Sequence, residues 1–138
     1  VAQEIEQMEQ EVDAIDEEIE RLREKQTDID EAIEAIETLD SGSTVQVPLG
    51  GDAYIRATIE DIDEVVVSLG GGYSAEREQE GAVSTLETKK ETLDDHISDL
   101  QEEKAEVETE MEELEQQAQQ MQQQQMQQMM QQQEQEDE

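Results

Sequence analysis

Few residues in this chain could carry covalent chemistry. His96 is the single histidine and there is no cysteine. An isolated imidazole on a solvated helix surface has no thiol or second imidazole to work with, and no aromatic-walled cleft to tune it. Carboxylates abound, but they fall on solvated helix faces. The runs Gly50-Gly51 and Gly70-Gly71-Gly72 could cradle phosphate. Neither is followed by Lys-Ser/Thr or a helix start, so hairpin turns explain them better. Asp61-Ile62-Asp63-Glu64 offers oxygen ligands to a hard cation but lacks the Asp-x-Asp-x-Asp-Gly pattern of a calcium loop. These residues predict no enzyme, no cofactor and no metal. The chemistry left is that of the thioether. Met121, Met126, Met129 and Met130 stand in a glutamine-rich run. Flexible, polarizable side chains of this kind suit surfaces that fit many partners. Together with Ile5 and Met8 they form the candidate binding tip.

The elements that must position this tip are two heptad runs. In the first, Ile5, Val12, Ile19, Gln26 and Ile33 fall seven apart, and Met8, Ile15, Leu22, Ile29 and Ile36 fill the complementary phase. In the second the phases are Val83, Lys90, Ile97, Lys104, Met111, Ala118 and Leu86, Leu93, Leu100, Val107, Leu114, Met121. A 3–4 spacing sustained this long puts one apolar seam along a helix, and each seam needs a partner. The other run of the same chain supplies it. The first helix is predicted over 1–40, ~55 Å long at 1.5 Å per residue, and stops at Asp40-Ser41-Gly42-Ser43, with Gly42 near the C′ position. The second is predicted over 79–121. Residues 122–138 form a Gln/Met-rich acidic tail, frayed or disordered. Gln26, Lys90 and Lys104 are the polar residues of the seam, and they could pin its register.

Between the helices, residues 41–78 change period. Val45, Val47 and Leu49 alternate with polar residues up to Gly50-Gly51-Asp52, and the segment with Tyr54 and Ile55 alternates again, which reads as a hairpin. Val65, Val66, Val67 and Leu69 lead into Gly70-Gly71-Gly72 and a short strand from Tyr73. Such small hairpins leave exposed edges that would aggregate, and closing them with further copies or partners into a larger barrel removes the edges. These ten residues are the candidate assembly surface. Both helices leave this body, so they are expected to pair antiparallel, with both ends of the chain at the far tip. The fold class is α+β: a long antiparallel coiled-coil hairpin with two central β-hairpins that form an oligomeric barrel platform.

The formal net charge is −33, from 41 acidic and 8 basic residues, and it coats every segment. In dilute salt such density repels itself, whereas at molar salt the Debye length falls to about 3 Å. A halophilic cytoplasm is therefore expected. Nucleic acid and acidic membrane surfaces are disfavoured as partners, since phosphate contacts need clustered Lys/Arg. No apolar run approaches the ~18 residues of a membrane span and no signal peptide is visible, so a cytoplasmic protein is expected.

The order helix, two hairpins, helix resembles a prefoldin subunit of the archaeal alpha class. The local likeness lies in Val45-Gln46-Val47-Pro48-Leu49-Gly50-Gly51-Asp52-Ala53-Tyr54 and Val65-Val66-Val67-Ser68-Leu69-Gly70-Gly71-Gly72-Tyr73. The resemblance implies a hexamer with beta subunits, two alpha and four beta, in which hairpins build a double barrel and coiled coils hang from it. It also implies ATP-independent capture of unfolded proteins at the tips and delivery to a group II chaperonin. The residues alone also fit a structural coiled-coil adaptor that oligomerises through its hairpins.

Overall fold

The computed structural model describes residues 1–136. Positions 137 and 138 of the acidic tail lie outside the described residues. The elements run α1 (Ala2–Thr38), β1 (Thr44–Gly50), β2 (Ala53–Thr58), β3 (Val65–Gly70), β4 (Tyr73–Arg77) and α2 (Gln79–Glu136), an α+β architecture. The strands begin and end where the glycines and the period-2 alternation place them. Helix α2 does not. It continues through residues 122–136, where the composition predicts a frayed or disordered tail. Glutamine and methionine are straight-chain helix formers, and the run contains no Gly, Pro or β-branched residue to stop it.

The chain divides into two compact units, Leu22–Asp95 and the remainder, Val1–Arg21 with the residues from His96 onward. In the first of these, α1 and α2 run antiparallel: Gln26 donates to Asp94 Oδ1 at 2.5 Å, and Lys90 pairs with Asp30 at 2.8 Å. Its core is Val67, Ala82 and Leu86, with Ile29, Ala32, Ile33, Ile36 and Val65 packed around them. Ala82 is fully buried. A methyl at that position lets β3 lie close against the start of α2, where a larger side chain would hold it off.

Both hairpins are built alike. Gln46 pairs with Arg56 and Pro48 with Tyr54 in one, and Val66 pairs with Glu76 and Ser68 with Ser74 in the other. Next come the pairs Gly50–Ala53 and Gly70–Tyr73, leaving Leu49 and Leu69 as the extra residue of a bulge. The turn residues Gly51 and Asp52 have φ of 56° and 62°, and Gly71 and Gly72 have 60° and 81°. Two consecutive positive φ values fit the right-handed twist of the flanking strands, which is why Gly-Gly-Asp and Gly-Gly-Gly stand there.

Polar contacts fix the body to the helix ends. Gly42 has φ of 91°, but its N–H donates to Ile59 O at 2.7 Å rather than back to α1. Ile59 N–H in turn donates to Ser43 O at 2.9 Å, which extends the β1–β2 ladder. The end of α1 is served by Gln79, whose Nε2 donates to Ile36 O at 2.7 Å and Leu39 O at 3.1 Å. The backbone N–H of the same residue donates to Asp63 Oδ1 at 3.2 Å. Asp63 thus caps α2 from a distant loop, and its own N–H is held by Asp61 Oδ1 at 3.0 Å. Lys89 Nζ donates to Ser68 O and ties β3 to α2.

In the other unit Ile15, Ile19 and Ile97 are buried, and Lys104 pairs with Asp16 at 2.8 Å. Val12, Leu100, Val107, Met111 and Leu114 are half-buried along the same seam, as Ile29, Ile33, Ile36 and Leu93 are in the first unit, where Leu22 and Leu86 are buried.

Candidate functional site

The tip is the last stretch of α2, an overhang that runs about 26 Å from Gln119 to Glu136 at 1.5 Å per residue. Ala118 is the last residue with partial cover, and every described residue after it is exposed. Met121 is 60% exposed, Met126 69%, and Met129 and Met130 70% each. Ile5 and Met8 belong to the same unit but are half-buried in the seam. They offer less open surface than the four methionines.

Two further properties define this overhang. Residues 116–133 carry no charge at all, in a chain of net charge −33. And Met126, Met129 and Met130 stand at i, i+3 and i+4, one stripe on the helix surface. At 100° per residue that stripe is turned by roughly a quarter revolution from the a/d seam, so the methionines are not a continuation of the coiled-coil contact.

The second candidate surface lies on the hairpins. Val47, Leu49, Tyr54, Ile55, Val66, Leu69 and Tyr73 are exposed, and Val45 is half-buried. Val47 faces Ile55 across the β1–β2 ladder, so one face of that hairpin is apolar and uncovered. Two residues assigned to this surface from sequence are placed elsewhere. Val67 is 5% exposed in the chain's own core, and Val65 packs against that core, whereas Val66 is 69% exposed. The period of two forces this split: when Val65 and Val67 face the helices, Val66 must face away.

Of the polar seam residues, Gln26 meets Lys90 through the backbone, while Lys104 pairs separately with Asp16. Gln26 Nε2 donates to the backbone carbonyl of Lys90 at 3.2 Å and to Asp94. The hydrogen bond that the Lys90 ammonium donates to Asp30, aided by the charge of that carboxylate, holds Lys90 above the ordinary lysine value against the opposing effect of burial. Asp16 does the same for Lys104. Both lysines therefore stay charged within the seam. Sequence spacing flagged these three positions but missed Gln79, Asp63 and Lys89. Gln79 at the predicted start of α2 was the one available signal, since Asp63 lies sixteen residues before it.

His96 is exposed. Among the described residues no group of three or more His, Asp or Glu side chains converges to hold a metal ion, and no helix is long and apolar enough to cross a membrane.

The family model for the prefoldin subunit matches residues 8–124. The chain belongs to the prefoldin family. Its relatives include the prefoldin subunit alpha of Haloarcula marismortui, 99% identical over 112 residues, which are 81% of this chain and 73% of that protein. The prefoldin subunit alpha of Halorubrum lacusprofundi is 65% identical over 78 residues, which are 56% of this chain and 51% of the relative. Among solved structures, the cryo-EM structure of filamentous PFD from Methanocaldococcus jannaschii superposes with a TM-score of 0.73 at 28% identity. That likeness covers 83% of this chain and 97% of the other. The kinship with alpha subunits of halophilic archaea fits the setting that the acidic balance predicts. The prefoldin match ends inside the overhang, so Met126, Met129 and Met130 lie past the matched residues.

Proposed function

We propose that this chain is the alpha subunit of an ATP-independent holdase, which captures unfolded proteins at its coiled-coil tip and passes them to a group II chaperonin. The observation that carries the reading is the exposed, uncharged end of α2 with its four methionines. Unfolded clients expose apolar segments of no fixed shape, and methionine adapts to such surfaces. Each tip is weak alone. Several tips on one assembly gain 10²–10⁴-fold in avidity, an order-of-magnitude effect that needs no strong single contact. The acidic body repels folded acidic proteins and keeps a loaded complex soluble.

The exposed apolar face of the hairpins supports the matching proposal for assembly. Val47, Leu49, Tyr54, Ile55, Val66, Leu69 and Tyr73 are covered by hairpins of prefoldin beta subunits in a barrel of two alpha and four beta chains, and the sheet edges close there. The domain roles follow: residues 41–78 assemble, the helices are arms, and residues beyond 121 bind. The working compartment is the cytoplasm.

Deletion of residues 116–138 tests the reading. The truncated chain assembles with beta subunits but protects an unfolding client from aggregation several-fold less well at high salt, read by light scattering. Equal protection by the truncated and full-length assemblies would sink the tip as the binding site.

A further inference from the structure

We propose that the methionines of the α2 overhang are an oxidation-sensitive patch, through which hydroperoxides switch off binding at this tip. The inference rests on the reading of the overhang as the client-binding surface. Four of the six methionines are concentrated there and are 60–70% exposed, while Met8 and Met111 are half-buried in the seam. Thioether oxidation follows access. A sulfur lone pair attacks one oxygen of the hydroperoxide. The O–O bond breaks as the S–O bond forms, and the departing oxygen takes the proton and leaves as water or alcohol. Sulfur is oxidised by two electrons and the peroxide is reduced by two. The product, a sulfoxide, is polar and chiral where the thioether was apolar and flexible.

The consequence is local because the overhang holds nothing else. Met126, Met129 and Met130 form one stripe, and residues 116–133 otherwise carry only glutamine, one alanine and Met121. Sulfoxides at Met121 and along that stripe remove the apolar surface that the four exposed methionines offer a client. The seam is spared: among the four tail methionines only Met121 occupies a seam phase, and it is 60% exposed. The coiled coil and the hairpins therefore keep their packing while the tip loses its apolar character. The change is reversible by methionine sulfoxide reductases, as a switch requires.

The test uses the full chain assembled with its beta partner. The assembly is treated with hydrogen peroxide, mapped by peptide mass spectrometry, and assayed for suppression of client aggregation. Met121, Met126, Met129 and Met130 are expected to gain oxygen before Met8 and Met111. Protection is expected to fall several-fold with assembly size unchanged, and to return after reductase treatment. A Met126→Leu, Met129→Leu, Met130→Leu variant is compared with its own untreated level, and is expected to hold that level after peroxide where the parent falls several-fold. If the oxidised assembly protects undiminished while the 116–138 deletion does not, the switch is refuted and the binding site stands. If the Leu variant loses protection under peroxide as the parent does, the switch is refuted as well. If the deletion itself leaves protection intact, the binding reading fails and the switch falls with it.

Discussion

Gln79 is the most consequential single residue that the structure adds to the sequence reading, and its replacement is the sharpest test of the fold. Gln79→Ala removes the two bonds from Nε2 to Ile36 O and Leu39 O, at 2.7 and 3.1 Å, and leaves the backbone bond to Asp63 in place. Each such bond contributes about 0.5–1.5 kcal/mol net, so the pair is worth about 1–3 kcal/mol. Two features decide where in that range the loss falls. The last turn of α1 has no basic residue to take over the carbonyls, which argues for the upper half. The contact is only partly buried, so water can reach the freed carbonyls, which argues for the lower half. Water wins in a half-open site, and a loss of about 1.5 kcal/mol is expected for the isolated chain. Urea unfolding followed by circular dichroism at fixed molar salt measures it, as a lower midpoint with an unchanged slope. Gln79→Asn keeps the amide but is one methylene short, and is expected to lose as much as the alanine variant. A Gln79→Ala loss below about 0.5 kcal/mol, within the range of an ordinary surface change, would refute the clamp.

Val67→Ala deletes two buried methyl groups and is expected to cost the isolated chain about 2 kcal/mol, while the neighbouring Val66→Ala stays within about 0.5 kcal/mol. Equal effects in urea unfolding would contradict the inward face assigned to β3. Dilution from molar salt to about 0.1 M lengthens the screening distance from about 3 to 10 Å, so helicity by circular dichroism is expected to fall as salt is removed; an unchanged spectrum would show that the net charge of −33 is tolerated unscreened. Lys90 and Lys104 have folded values raised above the ordinary one, so their ion pairs contribute fully below the unfolded value near pH 10.4 and are lost as pH rises through the folded values. An alkaline stability limb that does not shrink in the Lys90→Met, Lys104→Met double variant would refute that contribution.

Most of the architecture was legible because its signals are periodic. A seven-residue repeat over five heptads leaves no other reading than a coiled-coil helix, and the glycine runs bound the four strands to within a residue. What was not legible is what depends on approach in three dimensions. The alternation of Val65, Val66 and Val67 was plain, but which two turn inward depends on where Ala82 and Leu86 stand. Gly42 has the positive φ expected at a helix end, yet its N–H is taken by Ile59 because the hairpin reaches it first. Gln79 looks like an ordinary first-turn residue until the end of α1 lies beside it. Of the candidate tip, the residue types and their lack of charge were legible. The helicity of the tail was not, because composition alone does not say whether a Gln/Met run holds a helix without a partner.

That question has a physical answer in how helices grow. An isolated helix of about 18 residues in water is marginal because its first turn fixes several residues for one hydrogen bond, a nucleation factor of roughly 10⁻³. The overhang never meets that cost, since the packed part of α2, held at Ile97 and Lys104, is already a nucleus. Each further glutamine then adds one bond per residue fixed, close to break-even, and the helix continues without a seam. Charge decides the rest. Had residues 116–133 carried the acid density of the body, like charges at i and i+4 would oppose each step. They carry none, so this exposed segment has no like-charge repulsion to unwind it. The absence of charge that lets the overhang stay helical also leaves its methionines free of a repelling acidic screen, so one compositional choice serves both the order of the tip and its stickiness.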